Sequence, residues 1–217
     1  LWAPRYAEHR GRGGRMVLKG HEVRRLRIYP HALRTDNAYY SPDKKALLFG
    51  YFPAAGDEAG TVTPGSTVFT CLSSDIVAHE MSHALLDGLH RRLQEASNLD
   101  VPAFHEAFAD IVALFQHFTM RELVEFSIAR ARGDLSAIGL LSGLAKQFGE
   151  GSGRAGPLRD YGSPAMAELD YEKTVTPHER GSILVFAVYD AFLRLTAQRF
   201  DRLVHLATGG SGVLPAV

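Results

Sequence analysis

Apolar residues recur at helical spacing through the second two-thirds of the chain and as short continuous runs before it. Between Ser74 and His90, the residues Ile76, Val77, Met81, Ala84, Leu85 and Leu89 follow one another at helical intervals, which predicts a helix over 74–96 with Ser74 or Asp75 as its N-cap. A second stripe, Phe104, Phe108, Ile111, Val112 and Phe115, predicts a helix over 102–118 with those side chains in the core. Further helices are expected over 119–131 and 134–148, followed by a Gly-rich polar loop at 149–164. Thr176-Pro177-His178-Glu179 has capping-box spacing with proline at the first helical position, opening a helix that runs to about 207. Upstream, the runs at 46–53 and 66–72 read as strands, separated by the Gly- and Pro-containing turn from Gly56 to Gly65. Strands followed by helices give an α+β fold, a small β part and then a mostly helical part.

The first 36 residues differ. They contain Arg10-Gly-Arg-Gly-Gly-Arg15, then basic and apolar residues alternate from Val23 to Tyr29. With aromatic residues sparse among the arginines, this segment reads as solvated and poorly ordered rather than as an RNA-binding tail. The expected organisation is a basic N-terminal segment over 1–36, a β subdomain over 37–96 ending in the first helix, and a helical lobe over 97–217. Of the 217 residues 46% are hydrophobic and 22% charged, the balance of a globular protein with a sizeable core. Formal net charge is zero, which gives no case for nucleic acid or an acidic membrane as partner, and no apolar run reaches transmembrane length. A single cysteine, Cys71, excludes an internal disulfide and is expected to be a buried structural thiol.

The first predicted helix carries His79-Glu80-Met81-Ser82-His83, an H-E-x-x-H motif. Residues four apart share a helix face, so the two imidazoles can converge on one ion, while Glu80, about 100° round the helix, sits beside them without ligating. Among ten histidines a chance match has a probability on the order of a few per cent, so the weight falls on a third ligand. His90 is about 10 Å further along the same helix, too far to share the ion. On the second helix Glu106 and Asp110 lie one turn apart, where two carboxylates repel unless a cation or a histidine stands between them. Glu106 can supply the third ligand, and Asp110 can accept the free N–H of a ligating histidine. Three protein ligands with a fourth position left open is the pattern of catalytic Zn2+.

With both helices in view, the chain resembles the thermolysin-like zinc metallopeptidases (gluzincins), whose HExxH helix is followed by a helix bearing E-A-x-x-D, here Glu106-Ala107-Phe108-Ala109-Asp110. Asp75-Ile76-Val77-Ala78, leading into the motif, is also similar. Asn37-Ala38-Tyr39-Tyr40 followed by Ala46–Gly50 resembles the family's edge-strand segment, and Pro177-His178-Glu179-Arg180 its oxyanion-steadying helix start. The resemblance implies a thermolysin-like catalytic domain with the HExxH helix at the cleft between a β subdomain and a helical lobe. It implies one catalytic Zn2+ on His79, His83 and Glu106, with Glu80 as general base to a zinc-activated water. His178 then stabilises the oxyanion, Asp110 orients His79, and Asn37 with the Ala38 backbone binds an extended peptide. The activity implied is that of a zinc endopeptidase acting on peptides or proteins. The family suggests secretion, but no secretory signal is visible and the compartment stays open, as does the oligomeric state.

Several departures accompany the likeness. The interval from His83 to Glu106 is longer than the family's and contains no tyrosine, leaving His178 to act alone or with Arg159. Asp75 matches one calcium ligand, but His117 stands where another carboxylate is expected, so a Ca2+ site is not supported. A thermolysin-like lobe would continue past Val217, so the chain is expected to be a fragment. Leu123, Ile138 and Val188 are candidates to line the pocket beyond the scissile bond. The competing reading is a zinc-binding relative that no longer hydrolyses peptides. A zinc aminopeptidase would need a G-x-M-x-N-type strand, which is missing, and a metal-free helical binding domain is the residual case.

Overall fold

The computed structural model describes residues 8–10, 16–18, 25–55, 62–131, 139–154 and 156–212. β1 (Glu8–Arg10) and β2 (Met16–Leu18) form a two-stranded antiparallel ladder. β3 (Arg27–Leu33) belongs to a separate four-stranded sheet, so the expectation of a poorly ordered segment reaching position 36 does not hold there. Positions 11–15 of the Arg/Gly cluster lie outside the described residues. β4 (Ala38–Ser41) runs antiparallel and β3 parallel to β5 (Ala46–Pro53), with Ala38 opposite Phe49 and Arg27 opposite Ala46. β6 (Thr67–Phe69) pairs antiparallel with the end of β5, Phe69 opposite Tyr51.

β5 is a continuous apolar run because Ala46, Leu47, Leu48 and Phe49 are all buried, as befits a strand flanked on both sides and covered on both faces. Gly50 is required within it: a Cβ would lie 2.2 Å from the carbonyl oxygen of Thr35 and 2.4 Å from that of Asn37. That close approach lets the Gly50 amide donate to the Asn37 carbonyl at 2.9 Å, fixing the start of β4. The strand expected over 66–72 stops at Phe69 and continues as a short 3-10 helix, Thr70–Leu72. The cause is Thr70, whose hydroxyl bonds both the amide (3.0 Å) and the carbonyl (3.1 Å) of Gly50 in place of further strand pairing.

α1 (Ser74–Leu89) is capped by Ser73, one residue before the expected cap, through its hydroxyl and the Ile76 amide. It ends where His90 turns extended, and a 3-10 helix, Arg91–Gln94, replaces the last turns expected to 96. α2 (Asp100–His117) begins with the Asn98 side chain accepting from the Asp100 and Val101 amides at 2.9 and 3.1 Å. α3 (Arg121–Ala131) follows. The helix expected over 134–148 is interrupted. α4 (Gly139–Ser142) gives way to β7 (Gly143–Leu144), and α5 (Lys146–Gly151) starts after Ala145 in the left-handed region at φ 51°. Asp75 holds that turn, its Oδ2 accepting from the Ala145 amide at 2.8 Å, while β7 pairs with β8 (Arg159–Asp160) in the segment expected to be loop. α6 (Pro177–Ala207) opens at the predicted cap, Thr176, whose hydroxyl accepts from the Glu179 amide and donates to the Glu179 carboxylate.

The result is an α+β architecture, a mixed sheet followed by a mostly helical part, with α1 between them. One core joins β5 to α1 and α5 through Leu47, Phe49, Val68, Ile76 and Phe148; a second joins α2 to α6 through Ala107, Leu114, Val185 and Tyr189. The expected stripe on α2 is only partly buried: Ile111 packs against the second core and Phe115 meets Phe192 of α6, but Phe104 is 41% exposed, and the most buried face is Ala103, Ala107, Ala109, Ala113 and Leu114. Small residues face inward because α6 comes very near: a Cβ on Gly181 would lie 2.6 Å from the Ala103 carbonyl and 3.1 Å from the Ala107 amide. Arg180 fastens the same end, donating to Asp100 at 2.6 Å and to the Tyr171 and Thr174 carbonyls at 2.7 and 2.9 Å. Among the described residues no helix is long and apolar enough to cross a membrane.

Two stability predictions follow from this packing. Gly181→Ala, which in an open helix would gain about 1 kcal/mol of propensity, should instead cost about 1–3 kcal/mol of overpacking. A fall in Tm is expected; a rise would contradict the close contact. The second concerns His117, whose Nε2 lies 2.8 Å from Asp75 Oδ1 beneath the Ala145 turn. Burial lowers the His117 pKa, but the Asp75 carboxylate outweighs it and the net shift is upward. Burial likewise raises Asp75, yet His117 and the Ala145 amide bring it below its ordinary value. The His117 contribution is therefore full below about pH 6.5 and lost as pH rises through its raised pKa, while that of Asp75 is lost only in acid, as pH falls through its depressed pKa. Thermal unfolding should show the gap between parent and His117→Gln largest near about pH 5.5 and narrowing toward about pH 9. A gap independent of pH would contradict this pair.

Candidate metal centre

α1 presents His79 and His83 one turn apart with their Nε2 atoms 3.0 Å from each other. Because α2 packs directly against α1, the Glu106 carboxylate reaches the same point, its Oε2 lying 3.3 Å from His79 Nε2 and 3.6 Å from His83 Nε2. The three side chains form a cluster able to hold one metal ion. Tetrahedral zinc with ligands at about 2.0–2.1 Å places its donor atoms about 3.3 Å apart, and the three observed separations bracket that value. A second observation agrees: Glu106 Oε2 is buried and accepts no well-formed hydrogen bond among the described residues, although imidazoles surround it. A buried carboxylate oxygen left so is costly unless a cation meets it. Two neutral imidazoles and one carboxylate are zinc-type donors, and together they fit that ion.

The donors are held from behind. His79 Nδ1 lies 2.6 Å from Asp110 Oδ1, the bond expected from the one-turn spacing of Glu106 and Asp110. Asp110 is 2% exposed and also accepts from Arg159 at 2.9 Å and from the Tyr161 hydroxyl. Burial pushes the Asp110 carboxyl up, but His79 and Arg159 hold it below its ordinary range. His79 responds in the opposite sense: burial lowers it, Asp110 and Glu106 outweigh burial, and its pKa stands at about 9. Burial also works against ionised Glu106, yet His178, His79 and His83 bring it far below the usual carboxylate range. A metal binding here displaces the His79 proton.

Glu80 is 6% exposed and stands beside the cluster without joining it; one oxygen, Oε2, accepts from the Tyr40 amide at 2.8 Å. Its pKa is raised, chiefly by burial. The Tyr40 hydroxyl donates to Asp87 at 2.6 Å, so β4 is fastened to α1 at two points. Asn37 and Ala38 lie in the cleft wall, where Asn37 Oδ1 accepts from the Ala38 amide at 2.9 Å. His178, in the first turn of α6, has Nδ1 2.9 Å from the Arg159 guanidinium and 3.0 Å from Glu106 Oε2. Arg159 thus touches both Asp110 and His178.

A cleft of about 430 Å³ opens over the donors, walled by β4, by Leu93 and Ala96 of the segment after α1, and by Val101 and Pro102. A second cavity of about 100 Å³ adjoins it, lined by Ile76, Leu144, Phe148, Leu158 and Arg159. Leu123 and Val188 line neither cavity, and Ile138 lies outside the described residues. Three further participants escaped the sequence reading: the Tyr40 amide, Tyr161 and His105, whose Nδ1 lies 2.7 Å from His83 Nδ1. Only His105 had a signal, its place immediately before Glu106. Asp75 is paired with His117 and the Ala145 amide. Compared with protein-family models, curated proteins and solved structures, the chain matches none.

Glu106→Ala should weaken zinc retention by more than about a hundredfold, since loss of a ligand's supporting partner alone reaches that. Competition with a chelator measures it, and unchanged retention would move the third ligand elsewhere.

Proposed function

We propose that this chain is a zinc-dependent endopeptidase of thermolysin-like type. The observation that carries the reading is the pairing of a three-donor cluster with a buried, non-ligating carboxylate, Glu80, at the floor of a cleft edged by a β-strand. His79, His83 and Glu106 would hold Zn2+, which when bound would supply Lewis acidity toward a water and a peptide carbonyl. Glu80, anchored through Oε2 by the Tyr40 amide, has its other oxygen available to take a proton from the attacking water. It then delivers that proton to the leaving amine, so that water adds across the C–N bond and the base is restored.

His178 steadies the oxyanion. With Glu106 Oε2, 3.0 Å from His178 Nδ1, taken up by the ion, that nitrogen is left to accept from the Arg159 guanidinium, which puts the imidazole proton on Nε2 as a neutral donor. Such a donor contributes about 2–4 kcal/mol to acyl-transfer transition states. Asp110 keeps His79 in the tautomer that leaves Nε2 free for the ion. β4 suits an extended substrate through its carbonyls: the Asn37 carbonyl faces β5 through Gly50, so by strand alternation those of Ala38 and Tyr40 face away from β5, while the Ala38 and Tyr40 amides are already bonded to Asn37 and Glu80. The second cavity, with an apolar wall of Ile76, Leu144, Phe148 and Leu158, is sized for one side chain flanking the scissile bond. Peptides or proteins are the substrates on this reading.

A second reading, a zinc-binding relative without turnover, draws on the lack of a tyrosine between His83 and Glu106. Glu80→Gln separates the two. With the peptidase reading, the variant retains one zinc and cleaves a quenched-fluorescent peptide library about 10²–10⁴-fold more slowly than the parent. Cleavage at the parent rate would remove Glu80 from the mechanism, and a zinc-loaded parent that cleaves nothing would favour the second reading.

A further inference from the structure

His79 and His83 both turn Nε2 toward Glu106, so each ring is held by what its Nδ1 meets. For His79 that is the Asp110 carboxylate at 2.6 Å. For His83 it is a third imidazole: His105 Nδ1 lies 2.7 Å away, with ring centroids 4.9 Å apart and planes inclined by 28°. Two ring nitrogens at that distance share one proton. A histidine whose Nε2 lone pair serves a metal carries its proton on Nδ1. His83 is then the donor and His105 the acceptor, with the His105 proton on its own Nε2.

We propose that His105 is the positioning residue of His83, a neutral acceptor that fixes the tautomer and ring plane of the second ligating histidine; the proposal rests on the zinc-site reading above. Its place on α2 supports the role, because His105 and Glu106 are consecutive, so one turn of helix carries both the third donor and the support of the second. Charge supports it as well. Glu80, Glu106 and Asp110 already gather at the donors and Asp87 stands nearby, bound by the Tyr40 hydroxyl. A fifth carboxylate at position 105 would crowd them, whereas an imidazole supplies an acceptor without adding negative charge. The two histidines are therefore supported differently, His79 by an anion and His83 by a neutral ring.

The test is the zinc dissociation constant, from competition with a chromophoric chelator, for the parent, His105→Ala and His105→Asn. Asparagine places Oδ1 where histidine places Nδ1 and can accept the same bond; alanine cannot. The expected result is zinc binding about 10–100-fold weaker in His105→Ala and within about threefold of the parent in His105→Asn. Rescue by asparagine is something a merely space-filling role would not produce. Parent-like binding by His105→Ala, or equally weak binding by both variants, overturns the role of His105 and leaves the metal site standing. A parent that binds no zinc overturns both.

Discussion

Helix α2 lies close enough to both α1 and α6 to join them because the residues between the helices are small. Ala103 and Ala107 on α2 meet Gly181 on α6, where no side-chain carbon has room beside the Ala103 carbonyl. That approach has a chemical consequence. Glu106 sits on α2 between the two alanines, so the packing that brings Gly181 onto this helix also brings His178 to within 3.0 Å of the Glu106 carboxylate. On its other side α2 delivers Glu106 and Asp110 to the α1 histidines. The centre is thus assembled by backbone proximity, and a methyl group in the wrong place would separate its parts.

Electrostatics completes what packing begins. Asp110 is a buried carboxylate, costly in isolation and tolerable only because histidine, arginine and tyrosine all meet it. Those partners come from α1, β8 and the turn after β8. One carboxylate therefore ties the HExxH helix to the strand pair that interrupts the expected helix at 143–144. Arg159 extends the tie to α6 through His178. On the sheet side, Tyr40 performs the equivalent task, its amide on Glu80 and its hydroxyl on Asp87. Glu80 is positioned from the sheet and the three-donor cluster from the helices, which accounts for an α1 held between both.

Much of this was legible in the residues. Helical periodicity located α1 and α2, capping-box spacing located α6, and the 46–53 run is a strand as expected, though it lies inside the sheet and β4 takes the edge. The spacing of His79, His83, Glu106 and Asp110 anticipated contacts that the fold makes. What failed has identifiable causes. Bulk is a poor sign of burial on α2, because the helix is squeezed between neighbours and buries alanines while Phe104 stays 41% exposed. The helix expected over 134–148 is broken by a long-range contact, Asp75 to the Ala145 amide, between residues seventy apart in sequence. The strand at 66–72 is cut short by a side chain, Thr70, competing for Gly50. β3 pairs from a segment whose basic composition suggested solvent, because partnership with β5 overrides local composition. His105 and the Tyr40 amide became visible only once helices and sheet were placed together.

X-ray absorption at the zinc edge of the metal-loaded protein tests directly whether a single ion is held by two imidazoles and one carboxylate, with Glu80 outside the coordination sphere. The predicted spectrum has only nitrogen and oxygen neighbours at about 2.0–2.1 Å, with outer-shell scattering from two imidazole rings and no sulfur. Scattering from three or more imidazoles, or a sulfur at about 2.3 Å from Cys71, would contradict it.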